Sequence, residues 1–260
     1  MKQPLLTLAA FFVVCVSSCT PTLVSTGDSK GVLGPEYIMC PAPNDLDVVG
    51  SVFGVSPTKA KIDLFTLPVK VKSGKMQMQS YETDRTITTG LLANFLGSNP
   101  NVFTASGGAN TDTKVKSRFS ITSPILDRVE DLLLANKDVT NKKKDITEFS
   151  NSYPGYKYYM IIEVVKSKRI DIGLDKNSQG KAVVDADVKT ITTSANGKVG
   201  WNNTKDRQLS FDLNDNLTIF YKVLPIVIKN GADGGGVGLG MDAVTVSAAD
   251  PFLYVTNEKK

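Results

Sequence analysis

Tyr158-Tyr159-Met160-Ile161-Ile162-Glu163-Val164-Val165 is the stretch on which the architecture turns, because it is apolar at both parities and carries one charge. A strand with one wet face alternates between apolar and polar. A short run that is apolar on both faces belongs in the middle of a sheet, covered from both sides. The turn Tyr153-Pro154-Gly155 stands just ahead of it. Downstream, Ile170-Ile172-Leu174, Val184-Ala186-Val188, Leu209-Phe211-Leu213 and Leu217-Ile219-Tyr221-Val223 alternate cleanly, with turns expected at Lys176–Gly180, Ala195–Gly197 and Asn214–Asn216.

Upstream the period is also two. Ile62 and Leu64 alternate with Lys61 and Asp63, Val69 and Val71 with Lys70 and Lys72, and Met76 and Met78 with Gln77 and Gln79. Val115, Ser117, Phe119 and Ile121 face one way, while Lys114, Lys116 and Arg118 face the other. Such alternation predicts half-buried antiparallel strands, and short sequential connections favour a meander. Two segments read as helices instead. Ile87, Leu91 and Phe95 recur every four residues ahead of Gly97. Ser123 suits a cap and Pro124 a first helical position. The stripe Ile125, Val129, Leu132 and Leu133 then opposes Asp127, Arg128, Glu130 and Asp131, predicting a helix to about Asn136, continued more weakly through Phe149. Residues 231–240, GADGGGVGLG, predict a flexible loop or glycine-lined turn, and Val244–Val246 with Phe252–Val255 a last strand. The expected class is α+β: a mainly antiparallel, meander-like sheet with one or two short amphipathic helices, in one domain over residues 48–260.

The N-terminus carries an address. Lys2 precedes an apolar run from Leu5 to Val16, and Val16-Ser17-Ser18-Cys19 closes it. That run is shorter than the roughly 20 residues a membrane-spanning helix needs, and fits the apolar region of a secretory signal. The last four residues resemble the lipobox of bacterial lipoproteins. The resemblance implies a signal peptide over residues 1–18, cleavage before Cys19, and diacylglycerol on the Cys19 sulfur, with a further acyl chain such as palmitate on the new amine. It also implies a place in the bacterial envelope, on the outer membrane facing the periplasm or the surface in a Gram-negative cell. Residues 19–47, with Pro21, Pro35, Pro41, Pro43, Gly27, Gly31 and Gly34, then read as the lipidated cysteine and a flexible tether. With Cys15 removed and Cys19 acylated, Cys40 remains alone in that tether as a spare thiol, so no internal disulfide can form. The net charge of +4, one less without Lys2, is mild, and no nucleic-acid partner is expected.

The chain has no histidine, which removes Ser-His-Asp and Cys-His nucleophiles, histidine bases and histidine-ligated zinc or haem. Ser56-Pro57-Thr58-Lys59 and Ser178-Gln179-Gly180-Lys181 match S-x-x-K, but neither opens a helical pattern and the companion S-D-N and K-T-G motifs are missing. Asp175-x-Asn177-x-Gln179-Gly180 begins like a calcium-binding loop, yet its twelfth position is Ala186; Asp212-x-Asn214-x-Asn216 fails similarly, with Leu217 and Val223. Both read as hairpin turns, and no metal or cofactor is expected. The binding candidates are Tyr153 and Tyr156, beside Tyr158 and Tyr159, together with the basic runs Lys142-Lys143-Lys144 and Lys166-Ser167-Lys168-Arg169, in which Lys168 and Arg169 stand out. Exposed tyrosines suit glycans or protein partners, and each basic residue contributes about 1 kcal/mol near a strongly anionic membrane.

The stretch from Gly180 to Gly231, a polar linker followed by FDLNDNLTIFYKVLPIVIKNG, resembles a late strand region of gasdermin pore-forming domains over about a fifth of the chain. This resemblance implies a membrane-perforating domain, and a cytosolic setting instead of the one the signal implies. The lipobox and the missing catalytic templates make a membrane-anchored envelope lipoprotein with a non-catalytic binding or scaffolding role the leading expectation. Its partners would be membrane lipid through acylated Cys19 and an envelope protein or glycan. The alternatives are a hydrolase with a Ser-Lys or carboxylate site, and a membrane-perforating domain.

Overall fold

The computed structural model describes residues 30–58, 60–88, 114–174, 197–202, 208–229, 236–240 and 253–254. Cys19, Lys59, the segment Ser178–Lys181, Asp175-x-Asn177, Val184–Val188 and Val244–Val246 lie outside them. In chain order the elements are β1 (Lys30–Val32), β2 (Ile38–Asn44), β3 (Ser51–Val55), β4 (Ala60–Thr66), β5 (Val71–Lys75), β6 (Ser80–Thr88), β7 (Lys114–Thr122) and β8 (Ile125–Val129). Then come α1 (Leu132–Asn141), α2 (Lys143–Ser152), β9 (Lys157–Leu174), β10 (Gly197–Asn202), β11 (Gln208–Lys229), β12 (Gly236–Leu239) and β13 (Leu253–Tyr254).

The spine is β9 against β11, antiparallel from Gln208↔Gly173 to Ile226↔Tyr158. The other edge of β9 receives β7, β8 and β3 in succession, all antiparallel. The Tyr158–Val165 run is therefore central, and every residue in it except Glu163 is buried. Phe53 packs beside it, its ring 5.8 Å from Tyr159 and edge-on to Tyr221 at 6.2 Å. Burying a side chain of this size contributes about 1.5–3 kcal/mol, which is why the both-parity run commits the chain to this core. Among the described residues all pairings are antiparallel except the short β1·β6 and β13·β4 contacts, so the class is mainly antiparallel α+β. Sequential pairing holds for β3–β4, β6–β7 and β10–β11–β12, while β9 gathers strands far from it in sequence.

Several expectations are corrected. The tether does not extend to residue 47: from Lys30 onward the chain is in the sheet, and Cys40 is fully buried in β2. The helix starting at Ser123 is displaced. Ile125–Val129 is strand β8, paired with both β5 and β9, Ser123 has φ 49° in a tight turn, and α1 begins at Leu132. Asp131 caps it, its carboxylate accepting from the N–H groups of Leu133 and Leu134 at 2.9 and 3.0 Å. Ile87 lies in β6, and the rest of the segment expected as a helix there falls outside the described residues. Asn214–Asn216 is no hairpin turn; it is an irregularity in a continuous β11, where pairing with β9 skips from Asp212 to Leu217. Gly236–Leu239, expected in a flexible loop, is strand β12. β4 does not alternate as expected, with Lys61 buried, Ile62 and Leu64 only half-buried and Asp63 exposed, and β5 is exposed along its whole length. Met76–Gln79 forms bends, not a strand.

Candidate functional site

Strands β6, β7, β9 and β11 lie side by side and alternate in direction. Thr83 is opposite Phe119, which is opposite Ile172; Tyr81 is opposite Ile121, which is opposite Ile170. Cross-strand partners share a face. Thr83, Arg85, Ser117, Phe119, Ile121, Ile170 and Ile172 thus fall on one face, and all are buried. Asp84, Lys114, Lys116, Arg118, Arg169 and Asp212 are exposed on the opposite face. Exposed charges thus run across four neighbouring strands on that face. On the polar face Arg118 Nε donates to Asp84 at 2.8 Å, holding that carboxyl below its ordinary pKa, and Ser210 Oγ donates to Asp171 at 2.6 Å. The faces of β7 are as its sequence predicts.

Three residues break the apolar side. Arg85 Nη2 donates to the carbonyls of Gly34 and Tyr37 at 2.8 and 3.0 Å, its guanidinium lies 5.8 Å from the Phe220 ring, and burial lowers its pKa. Thr83 Oγ1 donates to the Leu33 carbonyl at 3.3 Å. Buried Ser117 supplies the third polar group. The signal in the sequence was parity: Arg85 shares its phase with Tyr81 and Thr83, where a solvated charge does not belong.

A second buried polar cluster lies where the chain leaves β2. Asp47 is ion-paired to Lys61, whose side chain has no exposed surface and lies 4.6 Å from the Phe53 ring centroid. Asn44 Nδ2 donates to Asp47 at 3.1 Å, and the Cys40 thiol points at the same carboxylate from 3.7 Å. Burial, then the charge of Asp47, pushes the Cys40 thiol well up, so it is not a nucleophile. Thr218 Oγ1 of β11 donates to the Asp47 carbonyl at 2.9 Å. Neither Asp47 nor Lys61 carries a sequence pattern that would have paired them.

The residues picked out for binding are divided among several elements. Lys142, Lys143 and Lys144 sit at the α1–α2 junction. Lys142 Nζ donates to Asp145 at 2.9 Å and lies 5.9 Å from the Phe65 ring, and Lys144 is 3.9 Å from Glu148. Between α2 and β4 an open groove of about 460 Å³ is lined by Leu64, Phe65, Lys142, Glu148 and Phe149. Tyr153 and Tyr156 close the end of α2 with ring centroids 5.4 Å apart; Tyr153 is exposed, whereas Tyr158 and Tyr159 are core. Lys168 and Arg169 are exposed on β9, with Arg169 Nε 3.7 Å from Asp171. Ser56 Oγ accepts from the Ala60 N–H at 2.9 Å and pairs with Thr58, as a turn serine does. Among the described residues no three metal-ligating side chains come together, and no helix is long and apolar enough to cross a membrane.

Residues 44–235, nearly three quarters of the chain, match the sequence model of the Bacterial Gasdermin Family. No curated protein matches the chain. Among solved structures, a bacterial gasdermin from Bradyrhizobium tropiciagri is similar at 12% identity and a TM-score of 0.49, with 85% of this chain and 91% of that one covered.

Proposed function

Because the chain belongs to the bacterial gasdermin family, we propose that it perforates lipid bilayers with its β6–β7–β9–β11 sheet. One observation carries this reading: four adjacent antiparallel strands all carry exposed charges on one face, while the opposite face is buried and mainly apolar on β7 and β9, broken by Thr83, Arg85 and Ser117. Backbone can cross hydrocarbon only as helices or as closed barrels, whose strands are apolar toward lipid and polar toward the lumen. A crossing strand needs about 9–11 residues. β6 and β7 have nine each, and β9 and β11 have 18 and 22. The scaffolding role that the lipobox suggested has less behind it than perforation. The anchor itself is kept as part of the proposal: a lipid on Cys19 would hold the chain at the surface it attacks.

The test is dye release from vesicles of phosphatidylethanolamine and phosphatidylglycerol, followed by conductance in planar bilayers. Release at low protein-to-lipid ratio is expected. Lys114→Glu/Lys116→Glu, on the exposed face of β7, should shift the reversal potential toward cation selectivity under a salt gradient. Vesicles that stay intact at high protein load would dismiss perforation, and an unshifted potential would remove β7 from the lumen.

A further inference from the structure

Resting on that reading, we propose that the start of α1 and the β5–β8 ribbon beside it form a wedge that enters the surface of a phospholipid bilayer and sets which end of the protein faces it. The first turn of α1 is Leu132-Leu133-Leu134, and these residues are 46%, 84% and 46% exposed. A helix with one side against a core ordinarily keeps polar residues on the rest of its surface. Val71, 45% exposed, is the register partner of Val129, which stands two residues before the Asp131 cap, and it adds a fourth apolar side chain at this end of the ribbon. The helix is held from behind. Ala135 and Val139 are buried, Asn136 Oδ1 accepts from the Leu239 N–H at 2.8 Å, and Thr140 Oγ1 donates to the Val237 carbonyl at 3.1 Å. The leucines therefore project from a fixed element.

The charges around them lean to the cationic side. Glu130 is held by Lys70 at 2.7 Å, Asp127 is held by Lys166 at 2.7 Å, and the Asp131 carboxylate accepts from the Leu133 and Leu134 N–H groups. Against these engaged acids, Lys72, Lys75, Arg128 and Lys137 are exposed and make no ion pair among the described residues. Lys72 and Arg128 are register partners, so two of these cations share a face of the ribbon. Half-buried Asp138 is the only acid within α1.

The occupant follows from shape and composition. Contacts between proteins are centred on aromatic residues packed to interior density. Leu133 instead stands out from the surface, and the apolar group of Val71 and Leu132–Leu134 has no aromatic member. Leucines flanked by Lys and Arg are what an interfacial helix offers to lipid. The apolar part enters the boundary between headgroups and acyl chains, and the cations meet anionic headgroups. A lipid on Cys19 would fix the distance from the membrane but not the orientation, and the wedge supplies the second contact. It is also built away from the strands proposed to cross. β8 pairs with Glu163–Lys166 of β9 and β7 with Arg169–Leu174, so seating α1 leaves β6 and β7 uncovered.

Leu133 can be replaced without loss of core, and native Cys40 is buried, so the full chain carrying Leu133→Cys is labelled with a polarity-sensitive fluorophore, its position checked by peptide mass spectrometry. Lys144→Cys, on an exposed side chain of α2, is the comparison site. Readouts on phosphatidylethanolamine/phosphatidylglycerol vesicles are emission, quenching by lipids brominated on the acyl chain, and dye release. The label at position 133 should shift to the blue and be quenched, while the label at position 144 stays aqueous. Adding Lys72→Glu/Arg128→Glu should remove most of the shift. A label at position 133 that stays aqueous on vesicles the protein perforates would overturn the wedge and leave perforation standing, as would an equal shift at both positions. A shift at position 133 alone, without dye release, would uphold the wedge and overturn perforation. A shift that grows with protein concentration in the absence of vesicles would give the surface to a second copy and overturn the bilayer as its partner. An undiminished shift in the Lys72→Glu/Arg128→Glu chain would overturn the part assigned to the cations.

Discussion

Asp47 and Lys61 show what a buried charge costs when its partner is removed. Lys61 has no solvent to turn to, and Asp63 at 3.2 Å is largely exposed. Asp47→Ala is expected to destabilise the fold by about 3–5 kcal/mol in urea unfolding, and Asp47→Ala/Lys61→Met to recover most of that loss, since the penalty belongs to the orphaned ammonium. Equal losses in the single and double variants would mean that the pair itself, not the orphaned charge, supplies the stability. Cys40 gives a pH dependence with a definite sign. Its thiol is raised by burial, so in the unfolded chain it ionises near the ordinary value of about 8.5 while in the folded chain it stays protonated. The unfolded state thus sheds protons first, and stability falls as pH rises above about 8.5. Native Cys40 should resist iodoacetamide from pH 7 to 9, as read by mass spectrometry of its peptide, and Cys40→Ala should flatten the fall of the urea midpoint between pH 8 and 10. Labelling that climbs with pH as an exposed thiol's does would contradict the buried position.

At the scale of elements, α1 depends on one cap. Asp131→Ala removes the acceptor for two N–H groups, and should cost about 0.5–2 kcal/mol, with Asp131→Asn nearly harmless. A loss shared by both variants would point to charge instead of capping. That helix also marks where the sequence stopped being legible. Ile125, Val129, Leu132 and Leu133 satisfy a helical stripe, yet Ile125–Val129 is taken by β9 and β5, partners that no local period can announce. Leu132, Leu133 and Leu134 are left largely exposed. The same non-local pairing explains β11: Asn214–Asn216 has turn chemistry, but β9 runs alongside and the mismatch is absorbed as a bulge. Where one face was wet and the other dry, as in β7, alternation sufficed; where both faces were dry, as in Tyr158–Val165, composition sufficed. Within the candidate sheet β7 and both parts of β9 could therefore be read, whereas β6 was not read as a strand and β11 was split by an expected turn; the order β6-β7-β9-β11 and the contacts of Arg85, Tyr37 and Asp47 belong to tertiary structure.

At the scale of the molecule, β1 and β2 lie on the stretch of chain that leads back to the proposed anchor. Ten residues lie between Cys19 and Lys30, so the eleven steps between them reach at most about 40 Å when extended. Each buried methylene of an acyl chain contributes about 0.8 kcal/mol, so two or three chains hold a protein of this size at a bilayer without help from its surface. Confinement turns a bimolecular encounter into a local one, and for short flexible linkers the effective concentration reaches the millimolar range. Assembly from many copies is steeply sensitive to that gain. Cys19→Ser is therefore expected to leave the chain soluble or unprocessed, and to require at least about tenfold more protein for half-maximal dye release than the lipidated chain on the same vesicles. The fold is untouched by the substitution if urea midpoints agree, so a difference in release isolates the anchor. Identical release titrations, or a Cys19→Ser chain that still fractionates with membranes, would show that the sheet finds the bilayer unaided.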